Sequence, residues 1–198
     1  MASSLGRLSA MRKSGEEHLH ADGARVAGTV LDFWRWSASD LMSNATRGRL
    51  AEYLVQRAVG GAEDAIRDEW DAFDLTTPEG VRVEVKSSAY IQSWHQERES
   101  AISFRIPKTK AWSADTNQQD AIARRQADVY VFALLHERTS PDPLNIRHWT
   151  FYVLAARALD ARARSQDAIT LASLVREAGA PVAFEHLGAA INSVAQAV

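Results

Sequence analysis

The segment from Val81 to Ser88, VRVEVKSS, alternates charged residues with valines and carries the most distinctive chemistry of the chain. Successive side chains of a β-strand point to opposite faces, so Glu84 and Lys86 share the face opposite the valines. An isolated Glu-Val-Lys triplet is also what the solvated face of any half-buried strand produces. A second carboxylate beside Glu84 would give the pattern a specific use.

Asp74, in the preceding segment, is the best source of that carboxylate. The turn residues between Leu75 and Val81 predict a β-hairpin, and pairing these two residues places the apolar side chains of both strands on one face. Asp74 then lies diagonal to Glu84, within reach of a shared ion. Asp71 would share the apolar face under the same pairing, which favours Asp74.

Two carboxylates and an ammonium on neighbouring strands suit the hydrolysis of a phosphodiester. Carboxylate oxygens hold Mg²⁺ together with waters and phosphate oxygens. The ion lowers the pKa of a bound water and neutralises charge on the phosphate. The ammonium of Lys86 positions that water or stabilises the developing negative charge, and the sequence leaves both roles open.

Composition restricts the function classes. The 198 residues are 46% apolar, and 23 basic side chains nearly balance 25 acidic ones, which excludes a protein that coats nucleic acid by bulk charge. The absence of cysteine excludes disulfides, thiolate zinc sites, iron–sulfur clusters and cysteine nucleophiles. The sequence contains no glycine-rich phosphate-binding motif, so it does not predict a nucleotide cofactor. No membrane-length apolar run or signal-peptide pattern is present, so we expect a cytoplasmic protein without a membrane partner.

Hydrophobic periodicity predicts helices, a hairpin and further strands around one mixed sheet, which is an α/β fold. Residues 1–24 lack periodicity and are expected to form a flexible lead-in to a single domain over residues 25–198. The predicted helices are Val26–Met42, Ala45–Val59, Asn117–Gln126, Leu171–Ala178 and Phe184–Ala195. The predicted strands are Trp70–Leu75, Val81–Ala89, Ile102–Ile106, Ala127–Leu135 and His148–Ala155, of which Ala127–Leu135 is expected to be buried and central.

The order of an acid in a helix, Asp74 before a turn and Glu84-Val85-Lys86 in a strand resembles the PD-(D/E)XK, or restriction-endonuclease-like, nuclease superfamily. The segments RGRLAEYLV, WDAFDLTTPEGVRVEVKSSAYIQSW and RQADVYVF look like an uncharacterised bacterial set of such proteins. The proline that nominally precedes the first aspartate is missing. The resemblance implies a restriction-endonuclease-like mixed central sheet flanked by helices.

The resemblance also implies roles for individual residues. Asp74 and Glu84 would bind Mg²⁺, for which Mn²⁺ can substitute, together with the backbone carbonyl of Val85. Lys86 would be the catalytic lysine and Glu52 an accessory acid. Glu52 interrupts an apolar helix surface, where a charge needs a cation or metal, although pairing with a neighbouring arginine or glutamine of the helix explains it equally well.

Polar and basic residues downstream of Lys86 suggest contacts with the substrate. Ser88 and Gln92 are expected to support the site, and a surface role for Gln92 is an equal alternative. Basic residues interleaved with aromatic ones could bind phosphates and stack bases, although buried aromatics among solvated charges give the same composition. The candidates for nucleic-acid binding are Arg105, Lys108, Lys110, Arg124 and Arg125.

Together these features predict a metal-dependent nuclease that hydrolyses DNA phosphodiester bonds in restriction, repair or defence. The alternative is a non-catalytic member of the same fold that binds nucleic acid or a protein. We expect a homodimer, because a duplex cutter with one site per chain usually acts as a pair.

Overall fold

The computed structural model describes residues 6–197 and has a mixed α/β architecture, as predicted. The strands are β1 (His18–Ala21), β2 (Ala24–Thr29), β3 (Leu75–Thr76), β4 (Arg82–Ala89), β5 (Ser103–Arg105), β6 (Trp112–Ser113), β7 (Gln118–Gln119), β8 (Val129–Leu135), β9 (Trp149–Ala155) and β10 (Ala168–Thr170). The helices are α1 (Val30–Ala38), α2 (Asn44–Ala58), α3 (Ala156–Asp160), α4 (Leu171–Ala178) and α5 (Leu187–Gln196). The finer, restriction-endonuclease-like arrangement stays a prediction.

The main sheet has four strands in the order β3-β4-β8-β9. Strand β4 runs parallel to β8, and β8 runs antiparallel to β9, so the sheet is mixed. All seven residues of β8 are buried, because the strand has a neighbour on each side and is covered on both faces. The prediction of a central buried strand is therefore confirmed.

The two faces of the sheet carry separate clusters of buried side chains. Val85 and Val131 belong to the cluster on which α2 and α5 pack. Phe132 belongs to the other cluster, which includes residues of β5, β10 and α4. In the pairing of β4 with β8, the partners of Glu84 and Lys86 both belong to this second cluster. The side chains of Glu84 and Lys86 therefore point to the second face of the sheet.

The hairpin between β3 and β4 corrects the predicted register by two residues. Leu75 lies opposite Val83 rather than Val81. The loop is tighter than expected, because the Thr77 N–H donates to the Val81 carbonyl at 2.9 Å and the Gly80 N–H donates to the Thr77 carbonyl at 2.9 Å. Gly80 has a φ of 86°, as in three-residue hairpin loops that close with a left-handed glycine. Two residues that the sequence analysis placed in the turn therefore belong to the paired strands of the hairpin.

Strand β4 is much longer than β3, which leaves part of its edge open. The pairing with β3 ends at Val83, whereas β4 continues to Ala89. Asp74 Oδ2 accepts the Val85 N–H at 2.7 Å, and Gln92 Nε2 donates to the Ala89 carbonyl at 2.7 Å. Among the described residues, side chains therefore replace a strand partner at this edge.

Helix α2 follows the prediction closely. Its N-cap is Ser43, whose Oγ accepts the Thr46 N–H at 3.4 Å, and Gly60 follows its C-terminus with a φ of 70°. Between residues 6 and 197 no helix is both long and apolar enough to cross a membrane.

The N-terminal region differs from the prediction in two ways. Residues 18–29 form a hairpin of β1 and β2, so regular structure begins inside the segment that was expected to be a flexible lead-in. Helix α1 consequently begins at Val30 instead of Val26, where Thr29 and Asp32 form a capping box. Residues 1–5 lie outside the described residues, and the single domain stays a prediction.

The helix predicted over residues 117–126 is wrong. Strands β6 and β7 pair there instead, with Trp112 opposite Gln119. Trp112 also contacts Trp70 edge to face, at 5.3 Å between ring centroids. The local strand pairing and the contact with the distant Trp70 outweigh a helical propensity that no apolar periodicity supported.

Candidate active site

Asp74 and Glu84 meet at the point where β3 gives way to the open edge of β4. The Asp74 N–H donates to the Val83 carbonyl at 3.1 Å, and Asp74 Oδ2 accepts the Val85 N–H at 2.7 Å. Asp74 is thus tied to β4 on both sides of Glu84. The corrected register brings these two predicted acids together more directly than a diagonal pairing would.

Lys86 lies beside the two acids. Its ammonium donates to Glu84 Oε1, and both side chains are partly buried. The N–H and the carbonyl of one strand residue point to the same side of the strand. Because the Val85 N–H donates to Asp74, the Val85 carbonyl also faces the Asp74 side. The structure therefore brings together Asp74, Glu84, Lys86 and the Val85 backbone.

The pKa of Asp74 is raised to about 6, chiefly by burial and next by the nearby negative charge of Glu84. The bond from the Val85 N–H and the positive charges of Lys86 and Arg67 oppose this rise. A carboxylate whose charge is this poorly compensated favours a bound cation.

Glu52 extends the acidic group from α2. Its carboxylate forms an ion pair with Arg67, whose Nη2 also lies 4.0 Å from Asp74 Oδ1. Burial raises the pKa of Glu52, the bond from Arg67 lowers it, and the negative charge of Asp74 raises it. The partner of Glu52 is therefore a distant arginine rather than a neighbour on its own helix.

Glu52 and Asp74 line a cavity of about 410 Å³, which we call the acidic cleft; Glu84 and Lys86 are not among its lining residues. Its charged lining residues are Glu52, Glu63, Asp68, Asp71, Asp74, Arg49, Arg57 and Arg67. Within residues 6–197 no three acidic or histidine side chains cluster closely enough to hold a metal by themselves. A metal at Asp74 and Glu84 would complete its coordination with the Val85 carbonyl, water and phosphate oxygens.

The predicted supporting residues lie on the other side of Lys86. Gln92 Oε1 accepts a bond of 3.2 Å from Arg47, and Gln92 Nε2 bonds to Ala89 and Ser100. Ser88 lines a second cavity near Gln92. Gln92 thus holds the chain after β4 in place and does not contact the carboxylates.

The five predicted phosphate-binding residues divide into an exposed group and one exception. Four of them are exposed: Arg105, Lys108, Lys110 and Arg124. Two of these four, Lys108 and Arg124, form ion pairs with aspartates. Arg125 is 7% exposed, and its guanidinium bonds to the Ile106 carbonyl and to Gln166. Arg125 therefore holds β5 and its neighbours together, and we withdraw it as a phosphate contact.

Sequence reasoning missed Arg47 and Arg67. Arg47 shares the helical stripe of Ala51 and Leu54, so a charge within an apolar face was the available signal. Arg67 lies in a turn-rich segment without periodicity, and no sequence signal singles it out.

Two comparisons with known proteins bear on this site. Residues 25–165 match the model of the bacteriophage T4 endonuclease IV family, which is a nuclease family. The match covers both carboxylates, Lys86 and β8. A search of curated proteins finds no match.

Proposed function

Because the chain belongs to the bacteriophage T4 endonuclease IV family, we propose that it is a Mg²⁺-dependent deoxyribonuclease that hydrolyses DNA phosphodiester bonds at Asp74, Glu84 and Lys86. The observation that carries the proposal is the fixing of Asp74 to β4 on both sides of Glu84, with the ammonium of Lys86 on the same carboxylate. The PD-(D/E)XK assignment is part of this proposal.

The donor set suits a hard divalent cation. Asp74 Oδ1 and the free oxygen of Glu84 are carboxylate ligands, and the Val85 carbonyl is directed to the same side. The raised pKa of Asp74 adds support, since a cation would compensate the charge that burial disfavours. When bound, Mg²⁺, or Mn²⁺ in its place, activates water and neutralises charge on the phosphate.

The protein side chains then have separate tasks. Lys86 is free to bond both Glu84 and the substrate phosphate, because an ammonium has three donors and one of them is used on the carboxylate. Glu52 acts as the accessory acid, and its ion pair with Arg67 opposes the rise in the pKa of Glu52 that burial causes. The exposed side chains of Arg105, Lys108, Lys110 and Arg124 contribute phosphate contacts along the strand.

A homodimer is the proposed form for duplex cleavage, with the N-terminal arm, residues 6–38, as its interface. Helix α1 carries Phe33, Trp34 and Trp36, which are 53%, 40% and 84% exposed. Exposed aromatic side chains grouped on one short helix form an apolar surface that a second copy of the arm could cover.

Sedimentation equilibrium tests the dimer. We expect the mass of two chains for the wild type and of one chain for the double variant Phe33→Ser/Trp36→Ser. Ile122→Ser, which removes an equally exposed apolar side chain elsewhere, is the control and should remain dimeric. A wild type that stays monomeric at every concentration would contradict the proposal.

The nuclease proposal is tested by incubating the protein with supercoiled plasmid and with single-stranded DNA in Mg²⁺ or Mn²⁺. We expect cleavage that EDTA abolishes and that Glu84→Ala lacks. If the wild type cuts neither substrate and binds no Mg²⁺ in a calorimetric titration, the non-catalytic alternative replaces the proposal. Identical cleavage by Glu84→Ala would instead indicate a contaminating nuclease.

A further inference from the structure

Arg47 is a buried cation that the catalytic proposal does not use. It is 3% exposed and projects from the first turns of α2. Four of its five N–H donors are occupied. Their acceptors are the Met42 carbonyl at 2.9 Å, Asn44 Oδ1 at 2.7 Å, Ser87 Oγ at 3.3 Å and Gln92 Oε1 at 3.2 Å.

These acceptors are all uncharged, so the charge of Arg47 lacks compensation in the described part of the chain. A buried charge costs several kcal/mol unless a counter-charge or good hydrogen bonds offset it. The four bonds hold the guanidinium in one orientation and supply no negative charge. Such a group is prepared to receive an anion at its remaining N–H.

The cavity in front of Arg47 has the matching charge. We call it the Arg47 pocket; it has a volume of about 410 Å³ and lies along the open edge of β4. Lys86 and Arg105 also line it, and none of its lining residues within 6–197 is a carboxylate. The hydroxyl groups of Ser87 and Ser88 add neutral donors.

We propose that the Arg47 pocket binds a phosphate of the DNA strand next to the phosphate that is cleaved. The assignment rests on the proposed action on DNA. Lys86 connects the two places, because its ammonium contacts Glu84 and its side chain lines the Arg47 pocket. Trp94, 54% exposed at the rim, offers a ring on which a neighbouring base stacks.

The bound phosphate is either internal to a strand or at its 5′ end, and both share the chemistry that the pocket recognises. An internal phosphodiester suits an enzyme that cuts within a strand. A terminal phosphate, with its additional charge, suits one that acts from an end. Two probes that differ in this group distinguish the two sources.

The test measures binding without cleavage. Fluorescence anisotropy of a labelled oligothymidylate of about 12 nucleotides, with a 5′-hydroxyl or a 5′-phosphate, is recorded in EDTA over a range of salt concentrations. Arg47→Gln should weaken binding about tenfold or more and lower the salt slope. Equal losses on both probes assign an internal phosphate, and a loss confined to the phosphorylated probe assigns a terminal one.

Further variants keep the test decisive. Arg47→Lys retains the charge and serves if Arg47→Gln does not fold; it should bind more weakly than the wild type, because a lysine cannot reproduce the fixed guanidinium. Arg105→Gln removes a charge from the same pocket without disturbing the buried bonds. Arg176→Gln, on α4 and away from the pocket, is the matched control and should bind as the wild type does.

Wild-type affinity and salt slope in folded Arg47→Gln or Arg47→Lys would overturn the inference. A wild type that binds DNA in EDTA but never cuts it would overturn the proposed catalysis and leave the pocket assignment standing. A wild type that cuts DNA while the Arg47 variants bind normally would do the reverse.

Discussion

The acidic cleft and the Arg47 pocket have the same volume, about 410 Å³, and opposite electrostatic character. Arginines partly neutralise the carboxylates of the cleft, yet burial still raises the pKa of Asp74 to about 6. The pocket combines three cations with neutral hydrogen-bond acceptors. Lys86 lines the pocket, and its ammonium contacts Glu84 beside Asp74 of the cleft, so the open edge of β4 presents a place for a cation next to a place for an anion.

Burial disfavours the charged form of both groups. It raises the pKa of Asp74 and lowers the pKa of Arg47, and an opposite charge nearby would offset either effect. A metal ion and a DNA phosphate are the complementary pair.

The largest effect is expected at the residue between the two sites. Lys86→Ala should reduce the cleavage rate on the order of 10³-fold while folding and metal binding persist. Arg176→Ala, on α4 and outside both cavities, is the control. Retained turnover in Lys86→Ala would remove this lysine from the reaction and break the link between the sites.

Replacing each of two aspartates of the acidic cleft in turn tests which of them binds the metal. Asp74→Asn should lower cleavage by about 10²-fold or more, since a neutral amide is a poor Mg²⁺ ligand. Asp71→Asn should remain within about twofold, because among residues 6–197 no hydrogen bond joins Asp71 to β4 as one joins Asp74. Initial rates at saturating Mg²⁺ make the comparison, and the reverse order would identify Asp71 as the ligand.

The raised pKa of Asp74 predicts a stability effect in the metal-free protein. Unfolding returns the carboxyl to its usual pKa of 3.8, so charging Asp74 destabilises the fold as pH rises from about 4 through about 6. In EDTA at pH 8, Asp74→Asn should therefore be more stable than the wild type by about 1–3 kcal/mol, and the gain should vanish below pH 4. Urea unfolding measures the difference. A pH-independent loss of stability would contradict the uncompensated charge.

The smallest effect is expected at Lys110, one of the exposed basic residues proposed to contact DNA phosphates. Lys110→Gln should weaken DNA binding a few-fold and reduce the slope of log affinity against log salt by about 0.7–0.9. Arg125→Gln should leave that slope unchanged and lower stability instead, because its guanidinium bonds to the interior. An equal salt slope for Lys110→Gln and the wild type would exclude Lys110 from the footprint.

Sequence reasoning predicted the elements whose patterns are local. Helix α2 has a capping serine and a regular apolar stripe, and β8 is apolar throughout, so each could be placed within one or two residues. Asp74, Glu84 and Lys86 were brought together correctly because the side-chain period of a strand survives a register shift of two. The shift itself depended on Gly80 closing a shorter loop than expected.

Long-range contacts account for what the sequence could not supply. Strands β6 and β7 depend on pairing and on the contact between Trp70 and Trp112, which no local pattern announces. Arg67 reaches Glu52 across fifteen positions of a turn-rich segment. Arg47 could have been noticed as a charge on an apolar stripe, but its neutral partners come from three separate places along the chain.

The open edge of β4 has a consequence for solubility. An unpaired strand edge is a template on which a strand of another molecule can add, and charged side chains are a common defence against such aggregation. Lys86 and Arg105 line this edge, so two copies that approach edge to edge bring like charges together. The cations proposed to hold substrate would therefore also protect the protein from polymerising, and variants that neutralise them should be handled at low concentration.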